Sequence, residues 1–181
     1  MALTQETVVE TAVGLLRRFG LGDLSMRRLA RELDVQVGAL YWHVKNKQEL
    51  LVEVAAAVLA APALTAPSEP TGDGVDARGR ILHLASTLHQ TLLPVPDSSE
   101  VVNVARVLAP GRLEALTRLT ELLAAAGLDR SDAGSAQALI VNHVLGSVAA
   151  AQNRADFDVP GSEAPDFRWA LERALDGLLR G

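Results

Sequence analysis

An all-α chain is what the sequence predicts, with an N-terminal three-helix unit followed by a larger helical domain, about nine helices in all. Three observations carry that expectation. Apolar residues recur at three- and four-residue steps from the first segment onward, which is the period of a helix face. No stretch alternates apolar and polar residues between turn signals, so no strand pattern competes. Proline or glycine punctuates most of the boundaries between the periodic segments.

Taken in order, the first helix opens behind Thr4 as N-cap, carries Val8, Val9, Ala12, Leu15, Leu16 and Phe19 on one stripe, and ends at Gly20. Ser25 caps a short second helix with Leu29, Ala30 and Leu33 turned inward, and a third runs from about Gln36 to Val44 with Leu40 and Val44 inside. Asn46 followed by Glu49 is an asparagine form of the capping box, and it starts a fourth helix that carries Leu50, Leu51, Val54, Val58 and Leu59 to about Ala61. Pro62 stops it. Residues 66–76, with Pro67, Pro70, Gly72 and Gly74, read as a linker. Further helices are expected at 77–93, 101–108, 112–126, 131–154 and 166–179, separated by Pro94 and Pro96, by Pro110 and Gly111, by Gly127, and by Pro160, Gly161 and Pro165. The division that follows is a head at 1–50 and a helical domain at 51–181, with the helix at 47–61 as connector.

Composition narrows the function. At 49% hydrophobic and 22% charged residues the chain is too apolar for intrinsic disorder. The absence of Cys excludes a disulfide scaffold and cysteine catalysis and fits a reducing, cytoplasmic setting. Residues 133–153 contain no Asp, Glu, Lys or Arg over a length able to span a bilayer. Gln137, Asn142, His143, Gln152 and Asn153 interrupt them, so a helix buried in a helical core is expected and no membrane partner. The net charge of -5 argues against a nucleic-acid binder only as an average. Residues 1–50 hold seven basic and six acidic side chains, and 51–181 hold ten basic and sixteen acidic, so the acidity belongs to the second domain.

Two short helices joined by a tight turn after a longer one have the proportions of a helix-turn-helix DNA-binding unit. The side chains add to that. Arg27, Arg28 and Arg31 lie on the second helix; Gln36, Val37, Gly38 and Ala39 open the third and are small enough to let its backbone approach base edges; Tyr41, Trp42 and His43 follow, then Lys45 and Lys47. Cations and hydroxyls of this set suit phosphates, while Gln36 and Arg27 suit base edges. Part of Trp42 is expected in the core of the head, and Arg17 and Arg18 at a solvated helix end.

The run Ser25-Met-Arg-Arg-Leu-Ala-Arg-Glu-Leu-Asp-Val-Gln-Val-Gly-Ala-Leu-Tyr-Trp-His-Val-Lys-Asn-Lys47 resembles the DNA-binding domain of the tetracycline-repressor (TetR) family, over roughly residues 5–52. The resemblance implies that Ser25 caps the second helix and touches phosphate, that Arg27 reads bases, and that Gln36, Val37, Gly38 and Ala39 open the recognition helix. It implies backbone contacts for Tyr41, Trp42 and His43, and a phosphate-facing Lys47 at a helix N-terminus. Asp34 stands where the family usually has a turn glycine, and Met26, Val37 and Ala39 differ from the tetracycline repressors, so a different operator is expected.

A homodimer on double-stranded DNA follows, because a two-fold dimer reads a palindromic operator whose half-sites lie about 34–36 Å apart. In the family the last two long helices pair across the dimer. Here these are 131–154, with Leu139 and Gly146, and 166–179, with Phe167, Leu171, Leu175 and Leu178. Polar residues on apolar helices mark either satisfied core hydrogen bonds or a site for a small organic effector: His83, Thr87 and Thr91 at four-residue steps, then Asn103, Arg106, Asn142 and His143. No cofactor and no metal are expected. Alignment with the tetracycline repressors puts Ala105 and Leu108 where their metal-linked His and Thr fall and Pro62 and Ala63 where they have histidines, and His83 and His89 are six residues apart, too far to sit side by side on one helix. No catalytic residues are identified: the chain has no phosphate-binding glycine loop, no His-Glu-x-x-His pattern and no nucleophile elbow, which leaves little for an enzyme. A helical interaction module that has lost DNA binding has only Asp34 in its favour.

Overall fold

The computed structural model describes residues 3–65, 77–157 and 166–180. The expected linker at 66–76 and the punctuation at Pro160, Gly161 and Pro165 lie outside the described residues. Ten α-helices and no strand are present among the described residues: α1 (Gln5–Asp23), α2 (Met26–Glu32), α3 (Val37–Leu40), α4 (Lys47–Leu59), α5 (Pro62–Thr65), α6 (Ala77–Leu92), α7 (Ser98–Leu108), α8 (Glu114–Ala125), α9 (Arg130–Phe157) and α10 (Phe167–Leu178). A 3-10 turn, Pro110–Arg112, precedes α8.

The caps are local chemistry. Thr4 Oγ1 accepts from the Thr7 N–H at 3.1 Å, and Ser25 Oγ from the Arg28 N–H at 3.2 Å. Asn46 Oδ1 accepts from the Glu49 N–H at 2.8 Å, while the Glu49 carboxylate turns back onto the Lys45 N–H. Asp166 caps α10 through the Trp169 N–H at 3.0 Å. The helical path of α1 breaks at Gly20, whose φ of 74° and ψ of -179° belong to a region that essentially only glycine occupies.

The turn between α2 and α3 explains Asp34. Its N–H donates to Arg31 O at 3.3 Å and the next N–H, of Val35, to Ala30 O at 2.9 Å. This is the Schellman closure of a helix, with Asp34 at the left-handed position, φ 53°. The same closure ends α8: Gly127, φ 106°, donates to Ala124 O, and Leu128 to Leu123 O. Asp34 therefore takes the conformation for which glycine is usual, and the turn is kept.

The core divides unevenly. Val8, Ala12, Leu15, Leu16, Leu29, Leu40 and Val44 close the head, with Leu40 and Val44 inside as expected. Helix α4 packs against α1 on one side and most extensively against α7 on the other, which makes it the connector. Behind it α6, α8 and α9 pack on one another, and α10 closes over α6 and α9. Helix α5 is an addition to the expected set: Pro62 ends α4 and then starts a single turn whose Leu64 is fully buried. Helix α7 begins three residues earlier than expected, because Asp97 precedes it in a left-handed conformation (φ 55°) and Ser98 and Ser99 are buried in its first turn.

Candidate functional site

Two regions bear on function, the outer face of the head and the interior of the second domain. On the head, Arg27, Gln36 and Gly38 are exposed, Val37 and Ala39 are half-buried beside them, and the space where Gly38 would carry a Cβ is open. Tyr41 is 49% and Trp42 89% exposed. This corrects the expectation that Trp42 fills part of the core: Leu40 and Val44 take the inward positions of this turn, which leaves the residue between them facing water. His43 is half-buried, and Lys47 is exposed at the start of α4. Arg27, Arg31, Lys45 and Lys47 make no ion pair among the described residues, so their charges are free for a polyanion.

Arg28 is different. Its guanidinium pairs with Asp23 and lies 3.9 Å from the centroid of the Phe19 ring, so it is engaged within the head. Phe19, 44% exposed, is a platform for Arg28 and Arg18 more than a core residue, and Arg18 also pairs with Glu32. The Arg28–Asp23 and Arg18–Glu32 pairs run between α2 and α1 and could not be read from spacing along one helix.

In the second domain the seven polar candidates do not share one cavity. His83 is exposed, while Thr87, whose hydroxyl donates to His83 O at 2.9 Å, and Thr91 are half-buried further along α6. Arg106 donates to Asn142 Oδ1 at 2.6 Å in an exposed bridge between α7 and α9. Asn103 lines an open groove of ≈630 Å³ with Gln48, Val104, Val107 and Leu108. His143 hydrogen-bonds Phe167 O at 3.1 Å, and its ring stacks on Phe167 at 5.0 Å. His89 stacks on the same ring at 4.1 Å and meets Ser147 Oγ at 3.3 Å. Burial, and secondly the charge of His143, hold His89 below its ordinary 6.5. His89 was legible only as a histidine at the wrong spacing for metal; its ring partner lies on α10.

Where α4, α6, α7, α8 and α9 meet, the seam is lined by Leu59, Leu88, Leu92, Val102, Leu116, Val141, Val144 and Leu145, and the void between them is only ≈10 Å³. No polar side chain enters it. Among the described residues no group of three His, Asp or Glu converges on a metal position.

The expected dimer residues separate into two sets. Leu139, 46% exposed, and Gly146 lie on the outer face of α9 with open space before Gly146. Leu171 and Leu175 are fully buried inside the chain, which corrects their assignment to a dimer face. The apolar stripe of α10 is consumed in closing α6 and α9. Phe167 and Leu178 are half-buried, the former between two histidines, and Trp169, 62% exposed, is the large apolar side chain that α10 leaves outside. Arg78 on α6 fastens α10 through Asp176 at 2.6 Å, and this hydrogen bond, with the charges of Arg78, Arg173 and Arg180, holds the Asp176 carboxyl below its usual range.

Sequence reasoning also missed how head and second domain are joined. Asp97 Oδ2 accepts from the Leu21 N–H of the head at 2.7 Å, and Arg112 fastens the connector α4 by donating to both Glu53 oxygens at 2.7 and 2.8 Å.

A helix-turn-helix head with an exposed outer face, carried by a connector that packs on a separate helical core, has the architecture of a DNA-binding transcriptional regulator. Residues 8–54 match the bacterial regulatory proteins of the tetR family, and residues 66–165 match the tetracyclin repressor-like C-terminal domain. The chain belongs to the TetR family. It is 35% identical over 148 residues to an HTH-type transcriptional regulator of Saccharopolyspora erythraea, covering 82% of this chain and 61% of that relative's length. It is similar to the crystal structure of BioQ with its natural double-stranded DNA operator (33% identity, TM-score 0.82, 99% of this chain and 100% of that one). It is also similar to a single-substitution variant of TetR from Acinetobacter baumannii AYE in complex with minocycline (29% identity, TM-score 0.82, 99% and 98%). Among the described residues no helix is long and apolar enough to cross a membrane.

Proposed function

We propose that this chain is a ligand-responsive repressor that binds a palindromic operator as a homodimer and is released by a small organic effector. The observation that carries the reading is the exposed, unpaired face around Arg27, Gln36, Trp42 and Lys47 on an otherwise closed head. Helix α3 enters the major groove. Arg27 and Gln36 read base edges; Val37, Gly38 and Ala39 lie against the groove floor; Ser25, Tyr41, Trp42, His43 and Lys47 hold phosphates. Arg28 acts by keeping the end of α1 against α2.

Dimerisation uses the outer face of α9, with Leu139 and Gly146, flanked by Trp169 and the exposed edges of Phe167 and Leu178. The effector enters among α4 and α6–α9. It acts only through unequal affinity for two states, shifting α4 and with it the separation of the two heads. That a similar structure carries its DNA operator and another carries minocycline supports both halves of the reading.

The test is fluorescence anisotropy at moderate salt with the palindrome from the protein's own promoter region against random duplex. A preference for the palindrome is expected, with Arg27→Ala or Gln36→Ala costing about 1–3 kcal/mol and relaxing it, and Lys47→Gln lowering the salt slope by about one. Equal binding to both duplexes refutes the proposal.

A further inference from the structure

The first turn of α10 is held by two histidines. Its opening residue, Phe167, has its ring between the imidazoles of His89 on α6 and His143 on α9, at 4.1 Å and 20° to the first and 5.0 Å and 5° to the second. The Phe167 carbonyl meets His143 Nε2 at 3.1 Å, and His89 Nε2 meets Ser147 Oγ at 3.3 Å. The rest of the helix is anchored elsewhere, by the buried Leu171 and Leu175 and by Asp176 on Arg78. The seat of the first turn therefore depends on the two rings, and that of the remaining turns does not.

Both imidazoles are half-buried, so their charge decides what they do to the ring between them. A neutral imidazole stacks on Phe167 as a flat apolar surface. One imidazolium is still attracted to the ring's face, but two, with the thickness of one phenyl ring between them, repel where water screens poorly. The other charges on the elements packed here are engaged or exposed. On α6, residues 84–93 carry none besides His89. On α9, Arg154 donates to Ala150 O; on α10, Asp166 accepts from the Trp169 N–H and Arg168 pairs with Glu172. On α8, Arg118 donates to Leu64 O while Glu114 and Glu121 are exposed. On α4, Glu53 is held by Arg112 and Glu49 by the Lys45 N–H, Lys47 is exposed at its start, and α5 carries no charge. Burial and then the charge of His143 are accordingly what hold His89 below its ordinary 6.5.

We infer that His89, Phe167 and His143 form an acid-sensitive latch: the first turn of α10 is seated while His89 is neutral and lifts when His89 takes up a proton. The exposed Trp169 lies on that turn, so the surface that α10 presents beside α9 changes with it. In the lifted turn His89 meets water and ionises in its ordinary range, so acid favours lifting, by up to about tenfold for each pH unit below 6.5 until the seated ring also ionises. The consequence for the dimer rests on the reading that α9 and the start of α10 pair across the two-fold; the latch itself does not.

The experiment uses the full chain. Amide hydrogen exchange of Ala170, whose N–H donates to Asp166 O at 3.1 Å, reads the seat of the turn, expressed as a protection factor so that the pH dependence of the exchange chemistry cancels. From about pH 7.5 to about pH 5.5 the protection of Ala170 is expected to fall about five- to tenfold, while that of Leu50 in the head's core stays level. His89→Gln keeps a hydrogen-bonding group toward Ser147 and cannot ionise, so the fall should vanish. His143→Gln should reduce the fall without abolishing it, because the burial of His89 remains, and Phe167→Leu should leave Ala170 weakly protected at both pH values. Unchanged protection of Ala170 in the wild type, or a fall that persists in His89→Gln, overturns the latch; the wild-type series decides by itself if a variant does not fold. Sedimentation over the same range should show the wild-type dimer weakening with acid and the His89→Gln dimer holding. A chain already monomeric at the higher pH, or a dimer indifferent to acid while Ala170 loses protection, fails the dimer reading and leaves the latch standing.

Discussion

Replacing Gly20 with Ala concentrates two costs at one position. The backbone there has φ 74° and ψ -179°, and placing a Cβ in that region costs about 1–3 kcal/mol. The added methyl also falls 2.7 Å from Asp97 Oδ2, so the carboxylate must leave and the Leu21 N–H loses its acceptor. A hydrogen bond to a charged group is worth about 1.5–3 kcal/mol, and the lower end applies because solvent reaches Asp97. Together the loss is about 3–4 kcal/mol, a large part of a typical domain's 5–15 kcal/mol, or about 10 °C in Tm for a chain of this size. The assay is urea unfolding of four proteins: wild type, Gly20→Ala, Asp97→Gly and the double variant. Glycine accepts the φ of 55° at position 97, so Asp97→Gly removes the carboxylate without backbone penalty. In that background Gly20→Ala should cost only the backbone term, leaving a coupling of about 1–2 kcal/mol. Additivity within about 0.5 kcal/mol would refute the claim that the head and second domain are joined energetically at this contact.

Asp34→Gly should stabilise the head by about 0.5–1 kcal/mol, since relief of the left-handed position (about 1–2 kcal/mol) exceeds the entropy that glycine adds to the unfolded chain; a lower Tm would contradict the Schellman assignment. Trp42→Ala should leave urea stability within about 0.5 kcal/mol while operator affinity drops at least about tenfold, whereas a loss near 3 kcal/mol would return Trp42 to the core. Leu171→Ala should cost about 2–5 kcal/mol in unfolding, while Leu139→Asp shifts sedimentation toward monomer with little change in protomer stability. For His89 the folded state favours the neutral ring, so the unfolded chain binds more protons as pH falls through 6.5 and stability declines from there toward the lower folded value. His89→Gln should flatten Tm against pH across that window, and an unchanged slope would remove His89 from the account.

Much of the head was legible because its determinants are neighbours in sequence. Thr4, Ser25 and Asn46 each cap a helix through an amide three residues on, and Leu40 and Val44 turn inward together because four residues make one helical turn. The turn at Asp34 showed only as a missing glycine; its backbone conformation showed that nothing was lost. The second domain was legible as helices and not as a site. His83 and Thr87 share a face by spacing, but which side of α6 is buried is set by its apolar residues, and these are Ile81, Leu82, Leu84, Ala85, Leu88 and Leu92. Leu171 and Leu175 formed a correct apolar stripe on α10, and the stripe carried no mark of whether its partner was the same chain or another.

What the sequence by itself determined is everything that a hydrogen bond or contact within one or two helical turns can decide: helix starts, the stripes that must be buried, the family signature from Ser25 to Lys47. What only the tertiary structure decided is where each free valence ends. Arg28 is committed to Asp23 and Phe19, Ser99 to Leu145, Asp97 to Leu21, and Phe167 to two histidines from other helices. Partners 24 to 78 residues apart in all but the first of these cases meet only after the chain has closed its loops and chosen which stripes face inward. The pairings that join the second domain to the head are of this kind, which is why the head was legible from its own residues and the connection between the two was not.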